Sequence, residues 1–129
     1  MATMDSANSI LAEFPDIVES VRYGHSAWGV GKNVFAWVRP FSKADLKRFG
    51  DETPPSGPIL AVRTADLNDK EAILAAHPRS CFTIPHFDDF SAVLIDVDNA
   101  EDDELRELLV DGWLVYAPKD VAEAFLAEH

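Results

Sequence analysis

The stretch Cys81–Lys119, CFTIPHFDDFSAVLIDVDNAEDDELRELLVDGWLVYAPK, constrains this chain more than any other. Within it Ser91–Val97 alternates. Val93, Ile95 and Val97 fall on one face of an extended strand, and Ala92, Leu94 and Asp96 on the other. The β-branched face suits a half-buried pleated surface. A helix start follows. Asp98 is the expected N-cap, with Glu101 three residues on, where a capping box needs its reciprocal carboxylate. Glu101, Asp102, Asp103 and Glu104 fill the first turn, at the positive end of the helix dipole. Leu105, Leu108, Leu109, Gly112, Trp113 and Tyr116 then recur at helical spacing. A glycine in such a stripe costs about 1 kcal/mol relative to alanine, so close packing is the expected reason for Gly112. Pro118 ends this helix and can open the next. A strand leading into an amphipathic helix must bury both apolar faces against other elements, which requires a layered fold.

The rest of the chain supplies those elements. Residues 1–8 are expected to be frayed, and Ser9–Phe14 to form a short helix stopped before Pro15. Ile17–Tyr23, Ala27–Val30 and Val34–Arg39 read as strands, with a turn at Gly24–His25. The second and third are joined as a β-hairpin by the tight turn Gly31–Lys32–Asn33. Ser42 with Asp45, and Asn68 with Glu71, are capping-box pairs for helices ending at Phe49 and Ala76. Asp51–Pro58, with three prolines and a glycine, reads as an extended loop. Ile59–Thr64 and Cys81–Ile84 read as further strands, and Pro85–Phe90 as a turn into the last. Without strict βαβ alternation, the pattern predicts one α+β domain over residues 1–129. Its sheet is mainly antiparallel, with about five or six strands packed against helices.

At 129 residues the chain can bury a core of its own. The single cysteine, Cys81, rules out an internal disulfide framework and fits a reducing compartment. No apolar run is long enough to span a bilayer, and no basic-then-apolar leader opens the sequence, so the expectation is a cytoplasmic protein without a membrane partner. The net charge of −12 is unevenly spread. Arg22–Arg48 carries six basic residues against Asp45 alone, whereas the remainder is strongly acidic.

That basic block is the candidate nucleic-acid surface: Arg22, Lys32, Arg39, Lys43, Lys47 and Arg48, interleaved with Trp28, Phe35 and Trp37. Phosphate contacts need cations that track a backbone, and exposed aromatics can stack on bases. The simpler reading makes the aromatics core and the cations a solvated face. A second candidate surface, for a small ligand or a protein partner, comprises Trp28, Trp37, His86, Phe87, Asp88 and Trp113. Catalytic and metal chemistry find no support. His25, His77 and His86 match no metal-ligand spacing, and consecutive carboxylates at Glu101–Glu104 diverge around a helix. Cys81 opens a strand and reads as packing, no serine sits in a nucleophile elbow, and Gly29-Val30-Gly31 lacks a dinucleotide fingerprint. The expectation is therefore a non-enzymatic protein with no cofactor and no metal.

Several stretches, in order, resemble the MmcQ/YjbR family: RYGHSAWGVGKNVFAWVRP (Arg22–Pro40), SKADLKRFGDE (Ser42–Glu52), GPILAVRTADLNDKEAILAAHP (Gly57–Pro78) and FTIPHFDDFSAVLIDVD (Phe82–Asp98), then the helix with Trp113 and Ala117-Pro118-Lys119. The resemblance covers nearly the whole chain. It implies a compact α+β fold similar to the bacterial frataxin (CyaY-like) arrangement. It also implies binding of double-stranded DNA through a double wing of β-hairpins. Two functions follow as expectations. One is a DNA-binding domain contacting phosphate through residues 22–48. The other is a protein- or small-ligand-binding module on the same fold, which the acidic body favours.

Overall fold

A computed structural model describes residues 2–22, 24–50, 55 and 57–128. In chain order the elements are α1 (Met4–Leu11), β1 (Ile17–Arg22), β2 (His25–Val30), β3 (Asn33–Val38), α2 (Lys43–Phe49), β4 (Ile59–Arg63), α3 (Leu67–Ala76), β5 (Cys81–Phe82), β6 (Ala92–Asp96), α4 (Asp102–Leu114) and α5 (Lys119–Glu128). Short 3₁₀ turns occupy Pro85–Phe87 and Val97–Asn99. The six strands form one sheet in the order β1-β2-β3-β4-β6-β5, and every neighbouring pair is antiparallel. The fold is α+β, as the pattern predicts.

Strand alternation divides the apolar residues between two faces. Leu60, Val62, Val93 and Ile95 join the larger core, under the helices. Ile59, Ala61, Ala92 and Leu94 join a smaller cluster on the opposite face with Ile84 and Phe87. All five residues of β6 are therefore buried, not the one face that alternation suggests. The segment from Ile84 and the aromatics Phe41, Phe49 and Phe82 cover the second face.

On the helix side α4 lies against β3 and β4, and α1 against α4. The approach is close. A Cβ on Gly112 would stand 2.5 Å from Val62 Cγ1 and 3.4 Å from Phe35 Cδ2. Phe35 reaches this layer through a bulge. Trp28 pairs with Ala36 but Gly29 pairs with Val34, so Phe35 is the extra residue. Phe35 and Ala36 consequently both enter the helix-side core although they are consecutive. Phe14 stacks on Trp113 at 5.2 Å, and Phe125 meets both edge-on at 5.4 and 5.0 Å, tying α5 and the α1–β1 connection to α4.

Several boundaries differ from the sequence expectations. The first helix begins at Met4, not Ser9. Thr3 caps it through a reciprocal pair with Ser6, and the buried Ala2 donates its N–H to Ala100 O at 2.7 Å. The 3₁₀ turn Val97–Asn99 displaces the start of α4, so Glu101 is the N-cap in place of Asp98, with its N–H on Glu104 Oε1 at 3.3 Å. Asp66 caps α3 in place of Asn68, accepting from the Asp69 N–H at 2.8 Å. The Ser42–Asp45 capping box forms as expected. β2 starts at His25, and the turn before it includes Gly24 at φ +81°. Tyr23 and most of the expected loop Asp51–Pro58 lie outside the described residues.

Gly112→Ala tests the close approach. Helix propensity alone favours alanine by about 1 kcal/mol, whereas overpacking a filled core costs about 1–3 kcal/mol. Val62 is buried in a central strand and its methyl has nowhere to go. The variant should unfold at lower urea concentration, and adding Val62→Ala should restore much of the loss. A stabilised single variant would show that the gap tolerates a methyl.

Candidate ligand cleft

Register places the cleft. Arg22 and His25 are direct partners across β1 and β2, while Ser20 pairs with Ala27 and Ala27 with Trp37. By the two-residue period, Arg22, His25, Trp37 and Arg39 share the face turned away from α4, at one end of the sheet. The segment after β5 folds over that face and sets Phe87 and Phe90 beside Trp37, with ring centroids 6.3 and 6.2 Å away. The connection Pro40–Ser42 closes the third side. The result is a cleft of about 720 Å³ whose lining, among the described residues, includes Arg22, His25 and Arg39 but no aspartate or glutamate.

Two polar devices hold the walls. Arg39 Nη1 donates to Asp45 Oδ2 at 3.0 Å and to its neighbour's carbonyl, Pro40 O, at 2.5 Å. Asp45 is buried and also accepts from the Ser42 N–H at 2.9 Å. Burial pushes its carboxyl up, but the bonds from Ser42 and the Arg39 guanidinium outweigh this and hold it below its ordinary value. The second device is Lys70, buried on α3, whose Nζ donates to Phe87 O and, at 2.9 Å, to Phe90 O. Burial lowers the Lys70 pKa, against the opposing pull of Asp88 and Asp89. This ammonium fastens the turn that carries the aromatic wall. Guanidiniums flank that wall, Arg39 at 5.6 Å from the Phe87 ring and Arg63 at 4.4 Å from Phe90.

The basic block is not one surface. Arg22 and Arg39 meet at the cleft, but Lys32 occupies the β2–β3 turn at the other end of the hairpin, about 17–20 Å away by strand length. Lys43 and Lys47 are exposed on α2 and do not line the cleft. The side chains of Arg48 and His86 lie outside the described residues.

The second candidate surface is also divided. Trp28 and Trp113 are buried in the helix-side core, 4% and 1% exposed, so they join no surface. Phe87 is buried, Trp37 half-buried and Asp88 exposed; the first two belong to the cleft and Asp88 does not. Cys81 is buried, and that burial pushes its thiol up to about 12, which leaves it protonated. His77 Nδ1 lies 2.5 Å from Glu104 Oε2. Among the described residues no three metal-ligating side chains converge, and no helix is long and apolar enough to cross a membrane.

Sequence reasoning missed Arg63, Lys70, Phe41 and Phe90. Lys70 sits among polar residues early in a helix, where a lysine ordinarily faces water, so nothing local marks it. The adjacent pairing of phenylalanines around Asp88-Asp89 was the available signal for a folded-over segment.

Two outcomes test these walls. Because the folded-state pKa of Asp45 is depressed, its contribution is complete above the unfolded value and disappears as pH falls through the folded one. Asp45→Asn should lower stability at neutral pH by about 1–3 kcal/mol. It should also flatten the loss of stability on acidification below roughly pH 4, as followed by urea unfolding across pH. Lys70→Met leaves two carbonyls without their donor, which should cost about 1–3 kcal/mol and shift Trp37 emission to the red as the wall loosens. Wild-type unfolding and emission would show that the turn holds without the lysine.

A family model described as YjbR matches residues 12–115. An uncharacterised protein of Mycobacterium bovis is 42% identical over 130 residues, covering 98% of each chain, and one of Mycobacterium tuberculosis matches to the same degree. Among solved structures, Deinococcus radiodurans protein DR2400, with a DUF419 domain, has a TM-score of 0.65 at 22% identity, over 99% of this chain and 88% of its own.

Proposed function

We propose that this chain, which belongs to the YjbR family, is a non-enzymatic binding module whose cleft takes a small organic anion. One observation carries the reading: in a chain of net charge −12, the cleft presents Arg22, a histidine, aromatic rings and Arg39 with its partner Asp45 behind it, and among the described residues no carboxylate lines it. A volume of about 720 Å³ falls within the ordinary range for drug-sized ligands. Most of the lining is apolar, with a few convergent polar groups to orient a ligand.

Binding of duplex DNA is the second reading. Lys32 at a hairpin tip and the exposed Lys43 and Lys47 favour it, as does what the MmcQ/YjbR resemblance implies. It is the weaker reading because those cations lie at two ends of the sheet. A polyanion needs cations spaced along its backbone.

Backbone amide shifts distinguish the two. Titration with a panel of small organic anions should perturb the amides of residues 22, 25, 37–39, 41, 42 and 87–90. A labelled duplex, followed by anisotropy across a salt series, should bind weakly or not at all. Tight, steeply salt-dependent duplex binding, lost in the triple variant Lys43→Ala/Lys47→Ala/Arg48→Ala, would reverse the order.

A further inference from the structure

The cleft carries more information than its sign. Its cations differ in what they have left to give. Arg39 already donates to Asp45 and to Pro40 O, so its charge is largely compensated. Arg22 is exposed, and among the described residues it makes no ion pair or side-chain hydrogen bond. The exposed His25 stands directly across the strand pair from it. The site therefore offers one uncompensated guanidinium fork, with an imidazole beside it, at one edge. That matches the two oxygens of a single carboxylate. A phosphate dianion or an oligonucleotide asks for more donors, and Lys32, Lys43 and Lys47 line none of this space.

The opposite edge is aromatic. Phe87 and Phe90 meet edge-on at 5.4 Å, and Trp37 lies tilted to both. Phe90, 37% exposed, leaves part of its surface to solvent at the cleft, and Trp37 is half-buried there. Edge and offset faces of this kind accept another ring better than a flexible chain, because a rigid ring loses little freedom on binding.

We infer, on the premise that the cleft is the binding site, that its ligand is an aromatic carboxylate: a flat ring against Trp37 and Phe90, with one negative group on Arg22. Calorimetric titration of the whole chain with four probes tests this: 2-naphthoate, its neutral counterpart 2-naphthalenemethanol, decanoate and adenosine monophosphate. 2-Naphthoate should bind best, with the alcohol weaker by about tenfold or more, the value of a hydrogen-bonded charge. Arg22→Gln should weaken 2-naphthoate by about the same factor and leave the alcohol unchanged. Arg22→Lys should recover part of the loss. Arg22 is exposed at the end of an edge strand, so both variants should melt as the wild type does. Equal binding of the alcohol, or tighter binding of decanoate or the nucleotide, overturns the ligand class while the cleft remains a binding site. No heat from any probe at millimolar concentration overturns the cleft reading itself.

Discussion

The structure depends on how near α4 comes to the sheet. Gly112 lets the helix backbone settle onto Val62, and the bulge in β3 turns Phe35 into the gap alongside it. Once helix and sheet stand at that distance, Trp113 is placed to stack on Phe14 and to meet Phe125. These rings join α5 and the α1–β1 connection to the helix that already covers β3 and β4. A side chain at position 112 would lift the helix and loosen each of these contacts together. The entropic cost of a mid-helix glycine, about 1 kcal/mol, is offset by dispersion contacts that exist only at short range.

The opposite face follows from a different constraint. With one face of the sheet sealed by helices, β4 and β6 still carry Ile59, Ala61, Ala92 and Leu94 on the other. Leaving that area in water is costly, so the segment between β5 and β6 folds back over it. That segment is short and turn-like, and it cannot bury its own carbonyls without donors. Lys70 supplies them from α3. A lysine is suited to this because its long stem crosses apolar surface before presenting its donors. The cleft is what remains where this cover stops short of β1 and β2.

Much of this was legible from the residues alone, and the failures share a cause. Period-two alternation located the strands, the Gly31–Asn33 turn located a hairpin, and the spacing from Leu105 to Trp113 located α4 with its glycine. Local signals describe local geometry, and there they served. Helix starts were displaced because neighbouring polar residues compete for the cap, Asp98 with Glu101 at α4 and Asp66 with Asn68 at α3, and the preceding backbone decides between them. At α4 a 3₁₀ turn removed Asp98 from contention. The candidate surface likewise depends on topology. Six cations within 27 residues look like one patch in sequence, but a hairpin sends its tip and its ends to opposite poles. Likewise Trp28 and Trp37 look equivalent, yet they lie on different faces. Lys70 and Arg63 escaped notice because their roles exist only through residues 17 or more positions away.

The charge distribution links fold to recognition. At physiological salt a charge is screened over about 8 Å, so an anion outside the molecule responds mainly to the nearest surface. On the proposed reading, a small anion that enters the cleft meets Arg22 and His25 within a lining that, among the described residues, holds no carboxylate. The nearest carboxylates among the described residues, Asp45 behind Arg39 and Asp88 and Asp89 between Phe87 and Phe90, stand around that lining and not in it. A duplex cannot shrink to fit that region. It must extend its phosphates over neighbouring surface, where Asp88 and Asp89 are exposed and the chain as a whole carries −12. On the proposed reading the same charge would act as a size filter. It opposes a long polyanion at every added phosphate and leaves a compact anion to be judged by the cleft alone.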